Sequence, residues 1–373
     1  YYNIYNIKNK LIDIKEINMN IDNINNIRKK VKTVNIGNIL IGGNNPISIQ
    51  SMTNTDTRDI KSTAEQIKSL EEAGADIVRL AVLDMEAAKS IKEIKKQTKV
   101  PLIADIHFDY RLALESMKSG IDSLRLNPGN IKDKEKVKEV IKEAKERNLT
   151  IRVGVNGGSL DRSIYKEVTP ENMVKSAAEH IKLMEDLDFT NIKVSLKSSD
   201  IQTTIKANTL FREKFDYPIH LGVTEAGTLR SSLIKSTSAL SYLLIQGIGD
   251  TIRYSITGDP SEEVMAGKML LKFLGIRNEP SIEIISCPTC GRCQVDVEDI
   301  AGYIERYVQN IKKNITIAIM GCVVNGPGEA RHADFGVAGT GDGNFIFFEK
   351  ENEPIKVAKN NIIAFLTKKI EEF

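Results

Sequence analysis

Four cysteines in the last quarter of the sequence have the spacing of metal ligands. The motif CPTCGRC contains Cys287, Cys290 and Cys293, and Cys322 follows in the motif GCVVNGPGEA. A disulfide framework for a chain of this length would not confine its cysteines to one quarter, whereas clustered thiols in a reducing cytosol indicate metal binding. Thiolates are the standard ligands of iron–sulfur clusters, so a Cys-x-x-Cys pair with one distant cysteine favours a four-iron cluster.

Zinc is the alternative occupant of this cysteine site. A zinc site with four cysteines usually has a second close pair in the later loop, but here that loop offers only Cys322 and the acidic Glu329. His332 is a further potential zinc ligand. The spacing favours iron–sulfur and leaves zinc open.

Charged and polar side chains recur near the ends of several predicted strands, two or four positions apart. Because strand side chains alternate between two faces, this spacing places them on one face. Unpaired buried cations are too costly to persist, so their convergence requires an anion such as a phosphate ester or diphosphate. Ordinary salt bridges are the alternative at any single position, but repetition across strands favours the anion. The set comprises Asp105, His107, Arg125, Asn127, Arg152, Asn156, Lys193, Ser195, Lys197, Arg253 and Ser255, with Arg58 and Glu225 beside them.

Eight strand–helix units are predicted to position these side chains. From about residue 46 onward, short β-branched segments alternate with amphipathic segments such as 63–73 and 132–147. Eight such units predict an α/β fold, a (β/α)8 TIM barrel, whose chemistry lies at the carboxyl ends of the strands. The predicted strands are 46–52, 76–82, 100–107, 121–127, 150–156, 190–197, 217–224 and 251–257.

Three regions are predicted along the chain. Residues 1–26 form a disordered or peripheral extension, 27–279 the TIM-barrel substrate domain, and 280–373 a smaller α+β cluster domain. An upstream translation artefact and a targeting peptide are the other interpretations of the extension. The elements predicted for the last domain are strand 282–286, helix 297–313, strand 315–320, further strands and a final helix at 356–372.

The overall charge and hydropathy exclude two kinds of partner. The chain has 52 Lys and Arg against 50 Asp and Glu, and no basic tract dominates, which argues against nucleic acid. No apolar run reaches the length needed to span a bilayer, and no secretory signal pattern opens the sequence. We therefore expect a cytoplasmic protein without a membrane partner.

Several long motifs resemble one enzyme family. These motifs are QSMTNTDTRD (50–59), ADIHFDYR (104–111), LRLNPGNI (124–131), IRVGVN (151–156), HLGVTEAG (220–227), CPTCGR (287–292) and GCVVNGPGEA (321–330). Through them, residues 27–373 resemble bacterial 4-hydroxy-3-methylbut-2-enyl diphosphate synthase, an iron–sulfur enzyme of the non-mevalonate isoprenoid pathway.

The resemblance implies a reaction and a substrate site. The enzyme would open the ring of 2-C-methyl-D-erythritol 2,4-cyclodiphosphate and remove a hydroxyl group, with two electrons delivered through a 4Fe-4S cluster. Asp105 and Glu225 would face the carbon skeleton as proton-handling groups. The implied diphosphate ligands are Arg58, His107, Arg125, Asn127, Arg152, Asn156, Lys193, Arg253 and Ser255.

The resemblance also implies the cluster ligands and the protein partners. Cys287, Cys290, Cys322 and Glu329 would bind the cluster, with the carboxylate of Glu329 as the exchangeable ligand. Cys293 departs from the family pattern, and we predict that it is a bystander. Flavodoxin or ferredoxin would donate the electrons, and a homodimer would join the barrel and cluster domains of different subunits.

Two other functions compete with this hypothesis. A pterin-binding barrel that transfers a one-carbon or aryl group also carries Asp, Asn, Lys and Arg at strand ends, but it leaves the cysteine domain unexplained. A zinc-stabilised binding protein or redox sensor would use the cations only to recognise a phosphorylated effector. The metal content distinguishes the sensor from the iron–sulfur enzyme.

Overall fold

A computed structural model describes residues 21–131, 133–277, 280–309, 311–324, 332–349 and 352–373. The chain divides into two compact units, Tyr1–Arg277 and Asn278–Phe373. Each unit has a hydrophobic core of its own. Among the helices in these ranges, none combines the length and apolar composition needed to cross a bilayer.

The first unit is built on a parallel barrel. Its strands are β1 (Val34–Ile36), β2 (Ile39–Ile41), β3 (Ser48–Met52), β4 (Ile77–Ala81), β5 (Leu102–Asp105), β6 (Ser123–Arg125), β7 (Thr150–Asn156), β8 (Ile192–Lys197), β9 (His220–Leu221) and β10 (Thr251–Ile252). Strands β3 to β10 form one sheet in the order β8-β7-β6-β5-β4-β3-β10-β9. A parallel bridge between Val194 and Ile219 joins its two edges. The predicted TIM barrel is confirmed, and each predicted strand contains the observed one.

Helices alternate with these strands. They are α1 (Ile21–Arg28), α2 (Ile60–Ala73), α3 (Met85–Lys95), α4 (Tyr110–Lys118), α5 (Lys134–Glu146), α6 (Pro170–Glu185), α7 (Ile201–Lys214), α8 (Leu229–Ile245) and α9 (Pro260–Phe273). Most begin at an aspartate whose carboxylate accepts a hydrogen bond from a backbone amide of the first turn, which satisfies a donor that the helix itself leaves unpaired. The capping aspartates are Asp59, Asp84, Asp109, Asp133, Asp200 and Asp259.

Barrel strands alternate between an apolar outer face and a polar inner face. In β8, Ile192, Val194 and Leu196 belong to the core between strands and helices. The intervening residues Lys193 and Lys197 are also buried, on the opposite face. The interior of this barrel therefore holds charged side chains where many barrels hold layers of aliphatic ones.

The amino-terminal end of the barrel is covered by the antiparallel hairpin β1–β2. Val34, Ile36 and Ile41 of the hairpin form one apolar cluster with Ile77 and Ile103 of the barrel. The sequence did not predict this hairpin, because each of its strands has three residues and its apolar partners are distant in the chain.

Helix α1 begins inside the segment predicted as a disordered or peripheral extension, of which residues 1–20 lie outside the described ranges. Arg28, the last residue of α1, donates to the carbonyl of Asn45 over 2.8 Å and lies 3.4 Å from Asp250. Both charged side chains are almost fully buried, and Asp250 also lies 3.6 Å from Arg212. The ion pair between Arg28 and Asp250 anchors α1 to the barrel.

The second unit is an α+β domain with a five-stranded sheet. Its elements are β11 (Ile282–Ser286), α10 (Val297–Val308), β12 (Ile315–Met320), β13 (Phe335–Gly339), β14 (Phe345–Glu349), β15 (Ile355–Val357) and α11 (Ile362–Glu372). Strands β11, β12 and β13 are parallel, whereas β14 and β15 continue the sheet in antiparallel fashion. The helix predicted from residue 356 begins later, because Ile355–Val357 pairs with β14 as an edge strand.

Replacing Arg28 with methionine tests the anchoring of α1. The change removes a buried hydrogen bond and one cation beside Asp250, so we expect a loss of about 1–3 kcal/mol in the free energy of unfolding. Lys29→Met is the matched control, since Lys29 is the exposed neighbour of Arg28 and should change stability by less than about 0.5 kcal/mol. Urea unfolding of the barrel unit measures both, and equal midpoints for the two variants would contradict the anchoring role.

Candidate active site

Six cations lie on or beside the inner face of the described barrel, and two carboxylates pair with them. The cations are Arg79, Arg125, Arg152, Lys193, Lys197 and Arg253. The carboxylates are Asp105, which lies near Arg79 and Arg125, and Glu263, which pairs with Arg253. Six formal positive charges against two negative ones leave an excess of four, which suits an anionic ligand.

Asp105 lies among three partners at the end of β5. Its carboxylate oxygens are 3.8 Å from Arg79 Nε, 3.6 Å from Arg125 Nε and 3.7 Å from His107 Nε2. Burial alone would raise the pKa of this carboxyl, but Arg79, His107 and Arg125 together lower the pKa well below its usual range. Asp105 is therefore ionised, and its geometry suits a counter-ion for the arginines better than a proton donor.

His107 connects Asp105 to Arg125. The Arg125 guanidinium lies 3.0 Å from His107 Nδ1. An arginine can only donate, so Nδ1 is the acceptor in this shorter contact, while Nε2 lies 3.7 Å from Asp105. His107 is about half exposed at the end of the barrel, so one side of its ring remains accessible.

Arg152, Lys193 and Lys197 are buried with few partners. Arg152 donates to Ser195 Oγ over 2.5 Å, while its Nε and second terminal nitrogen have no hydrogen-bond partner among the described residues. Lys193 Nζ lies 3.4 Å from Thr251 Oγ1. Burial lowers the pKa of each of the three groups well below its usual value, and nearby positive charges lower it further. A bound anion would oppose both effects, because its negative charge favours the charged form of each group.

The two lysines differ in depth within the barrel. Lys193 is in register with Arg152, whereas Lys197 is in register with Asn156 at the carboxyl end of β8. Four residues of strand separate them, a distance of roughly 13 Å along the strand. Lys197 is therefore the lysine at the mouth. The family resemblance had implied Lys193, and not Lys197, as a ligand of the diphosphate.

Two glycines make room for these cations. A β-carbon at Gly222 would lie 2.6 Å from Lys197 Nζ and 2.7 Å from the carbonyl oxygen of Arg253. A β-carbon at Gly154 would lie 3.2 Å from Arg125 Nε, from Arg152 and from Ser195 Oγ. The cations can approach one another because the neighbouring strands carry no side chain at these positions.

Three of the predicted ligands already have protein partners. Arg253 pairs with the buried Glu263 through two contacts of 3.1 Å. Asn127 exchanges two hydrogen bonds of 2.8 Å with the backbone of Gly154. Arg58 is partly exposed and bonds to Asp56 and Asp84, and the Arg58 guanidinium lowers the pKa of Asp56 to about 2.

The remaining predicted site residues surround the mouth. Glu225 is exposed in the loop after β9 and has a φ of 53°, a left-handed conformation that is costly for a residue other than glycine. Its Oε1 lies 3.9 Å from the position of a β-carbon on Gly158, in the loop after β7. Asn156 ends β7, and Ser255 follows β10 with its carbonyl accepting from Ser232 Oγ over 2.9 Å.

Sequence reasoning missed several groups in this interior. Arg79 lies at an inward position of β4, and its guanidinium donates to Met52 Sδ over 2.9 Å and 3.1 Å. The alternation of strand side chains between two faces could have identified it from the sequence. Glu263 was hidden because it lies on helix α9. His220 begins the motif HLGVTEAG but received no role from the sequence; it is fully buried, and neither ring nitrogen has a partner among the described residues. Burial and the surrounding cations lower its pKa well below 6.5.

The cysteines lie at the ends of adjacent parallel strands in the second unit. Ser286 of β11 is in register with Ile319 of β12, so Cys287 and Gly321 begin neighbouring loops. Cys287 Sγ accepts from the amide of Gly321 over 3.1 Å, as a thiolate ligand of a cluster can. Cys290 is exposed and Cys322 is partly buried.

Cys293 differs from these thiols. Its Sγ donates to the carbonyl of Val295 over 3.1 Å and lies 2.5 Å from the position of a β-carbon on Gly321. The proposed ligand Glu329 lies outside the described residues. Within those residues no three His, Cys, Asp or Glu side chains are close enough to hold a single metal ion. A four-iron cluster spreads its ligands more widely than one ion does, so the thiols at these strand ends remain compatible with a cluster.

Replacing Asp105 with asparagine tests its ionised state. Arg79 and Arg125 would lose their counter-ion, so we expect a destabilisation of roughly 3 kcal/mol at pH 7. Since the pKa is lowered, this contribution is complete above the unfolded value of about 3.9 and is lost only as the pH falls below it. Thermal unfolding should therefore show a constant difference between wild type and variant from pH 8 to pH 5.

The exposed Asp186→Asn is the control for this measurement and should have little effect at any of these pH values. A difference that changes between pH 8 and pH 5 would indicate a carboxyl that titrates near neutrality. That result would restore Asp105 as a proton-handling group.

Comparison with known proteins identifies the family. The GcpE TIM-barrel domain matches residues 31–268, and the GcpE protein C-terminal domain matches residues 283–372. The relative from Ruminiclostridium cellulolyticum, named 4-hydroxy-3-methylbut-2-en-1-yl diphosphate synthase (flavodoxin), is 54% identical and covers 92% of this chain and 98% of its own. The Clostridium perfringens protein of the same name is 52% identical over 92% of this chain and 99% of its own.

These matches bear on the functions considered for the sequence. The resemblance drawn from the motifs is confirmed, and with it the expectation of an oxidoreductase of isoprenoid biosynthesis. The pterin-binding barrel and the zinc-dependent sensor are set aside. The chain belongs to the GcpE family, in both its barrel and its carboxyl-terminal domain.

Proposed function

We propose that this chain converts 2-C-methyl-D-erythritol 2,4-cyclodiphosphate into (E)-4-hydroxy-3-methylbut-2-enyl diphosphate, as the names of its relatives indicate for them. The reaction opens the cyclic diphosphate and releases one hydroxyl group as water. Written for the substrate dianion and the product trianion, it consumes two electrons and one proton. The diphosphate gains one negative charge during turnover, so the site must accommodate an anion that becomes more negative.

The excess positive charge inside the barrel is the observation that carries this proposal. Six cations and two carboxylates leave four formal positive charges in a region where burial lowers the pKa of Arg152, Lys193 and Lys197. A diphosphate offsets this charge and accepts hydrogen bonds from guanidinium and ammonium groups. Without an anion of this kind, so many buried cations would be difficult to maintain.

The residues around the mouth take different roles in this proposal. Arg125, Arg152 and Lys197 bind the diphosphate directly, because their nitrogens are not fully engaged by carboxylates. Asp105 holds Arg125 in place, and Glu225 is the better of the two proposed carboxyls for a proton-handling role because it is exposed. The further proposed ligands are Arg58, His107, Asn127, Asn156, Lys193, Arg253 and Ser255.

The carboxyl-terminal domain is proposed to hold the 4Fe-4S cluster through Cys287, Cys290, Cys322 and Glu329. When bound, such a cluster supplies single electrons and an iron with one exchangeable ligand. The amide of Gly321 donates to Cys287 Sγ, a hydrogen bond that a sulfur ligand of a cluster can accept. Cys293 uses its own proton to bond Val295, which favours a thiol outside the ligand set.

The partners and location follow from the relatives and from the sequence. The relatives carry flavodoxin in their names, and we propose flavodoxin or a ferredoxin as the electron donor of this chain. We also propose a homodimer and a cytoplasmic location, where a reducing environment keeps the thiols free.

Anaerobic turnover of the cyclodiphosphate with a chemical one-electron reductant tests the function. The purified protein should be brown, contain about four irons per chain and form the allylic diphosphate. Arg152→Met should lower kcat/KM by about a hundredfold, because a charged hydrogen bond to the diphosphate is lost. Arg58→Met should cost much less, since Arg58 is engaged by two aspartates. A reduced, cluster-loaded protein that forms no product would overturn the proposal.

Two further substitutions test the assignment of the cluster ligands. Cys293→Ser should retain both the iron content and turnover, because Cys293 bonds within its own loop. Glu329→Ala should retain most of the iron but lose turnover, because three thiolates remain while the exchangeable ligand is removed. Iron analysis and visible absorbance measure the first property. The reverse pattern would assign Cys293 to the cluster in place of Glu329.

A further inference from the structure

A short turn follows β6 directly at the mouth of the barrel. Residues Pro128–Asn130 form a 3-10 turn in which the amide of Asn130 donates to the carbonyl of Asn127 over 2.9 Å. Pro128 has no amide proton, so the Gly129 amide is the donor that the start of this turn leaves unpaired. It donates to Nδ1 of His180, on helix α6, over 3.2 Å.

His180 also fills the space beside Gly129. A β-carbon at Gly129 would lie 2.6 Å from His180 Cε1 and 2.8 Å from His180 Nδ1. No side chain at residue 129 would fit without moving either the turn or the imidazole. The ring of His180 and the absence of a side chain at Gly129 therefore fix the position of the turn together.

Asn127 links this turn to the cations of the candidate site. Its side chain exchanges two hydrogen bonds with the backbone of Gly154, each of 2.8 Å. A β-carbon position on Gly154 lies 3.2 Å from both Arg125 Nε and Arg152. A displacement of the turn would move Asn127, then Gly154, and then the space in which the two guanidinium groups lie.

We propose that His180 is a positioning residue for diphosphate binding, acting through the Pro128–Asn130 turn and Asn127 on Arg125 and Arg152 inside the barrel. This inference rests on the proposed function, because it assumes that Arg125 and Arg152 bind the diphosphate. His180 is a helix residue without a place among the predicted ligands, and its effect is indirect.

The contact depends on the neutral form of His180, because a protonated Nδ1 can no longer accept a hydrogen bond. Burial lowers the pKa of His180 below 6.5, the positive charge of Arg125 lowers it further, and Glu179 opposes them. The hydrogen bond is therefore present above pH 6.5 and is lost as the pH falls through the lowered value.

Calorimetric binding of inorganic pyrophosphate to the cluster-loaded protein tests this role. His180→Phe keeps a ring of similar volume but removes the acceptor, so we expect about a tenfold weaker Kd at pH 7.5. As the pH is lowered through the titration of His180, the wild type loses the same hydrogen bond, so the ratio of the two Kd values should fall towards one. Pyrophosphate and the other site groups titrate in both proteins, so their effect on Kd cancels in the ratio of variant to wild type. In turnover, KM should rise while kcat stays within about twofold.

His180→Asn is the conservative variant, because its side-chain oxygen can accept the same hydrogen bond without titrating. It should bind within about threefold of wild type at pH 7.5 and tighter than wild type once the pH has fallen below the titration of His180. Gly129→Ala places a methyl group against the His180 ring, so the turn or the imidazole must move, and it should weaken binding in the same direction. Lys182→Met, on the exposed side of α6, is the control and should match wild type at every pH.

The outcomes separate this inference from the proposed function. A wild type that binds no pyrophosphate would contradict the proposed function. A wild type that binds, together with a His180→Phe variant of equal affinity or of a weakened ratio that stays constant through the titration of His180, would contradict only the role of His180. If His180→Phe does not fold, the pH dependence of His180→Asn and the affinity of Gly129→Ala still decide the question.

Discussion

The cost of burying positive charge constrains the whole barrel. Arg125, Arg152 and the two lysines lie where water is largely excluded, and the protein offers them few carboxylates. Their like charges are tolerated because the strands and helices around them are held together elsewhere, by the apolar layer on the outer face of the sheet. The apolar layer supplies the stability of the fold. The uncompensated positive charge of the interior favours the binding of an anionic substrate.

The same constraint explains how the carboxylates are used. Asp105 and Glu263 each pair with an arginine of the interior, so both carboxylates are engaged by protein partners. Glu225 is different because it lies outside the cation cluster, on a strained backbone in an exposed loop. Strain at such a position is consistent with a functional constraint on its orientation. We therefore propose different carboxyl groups for the charge balance of the site and for its proton chemistry.

Much of the fold could be predicted because the barrel strands are β-branched runs of regular spacing. The period of two also placed residues such as Arg125 and Arg152 on one face. It could not show which cations are already neutralised, because Glu263 reaches Arg253 from a helix and Asp56 reaches Arg58 within a loop. The hairpin β1–β2 was missed for a similar reason, since its apolar side chains gain their partners only when distant strands assemble. The assignment of individual ligands remains a prediction.

That hairpin has an electrostatic consequence. By covering the amino-terminal end of the barrel with aliphatic side chains, it places a wall of low polarity behind the cations. Field lines avoid such a wall, so the positive potential is directed outwards through the opposite opening. An approaching anion is then guided towards one entrance, and its rate of association should decrease steeply as ionic strength rises. The aliphatic side chains of the hairpin thereby contribute to the association rate of the substrate, although they lie at the opposite end of the barrel from the mouth.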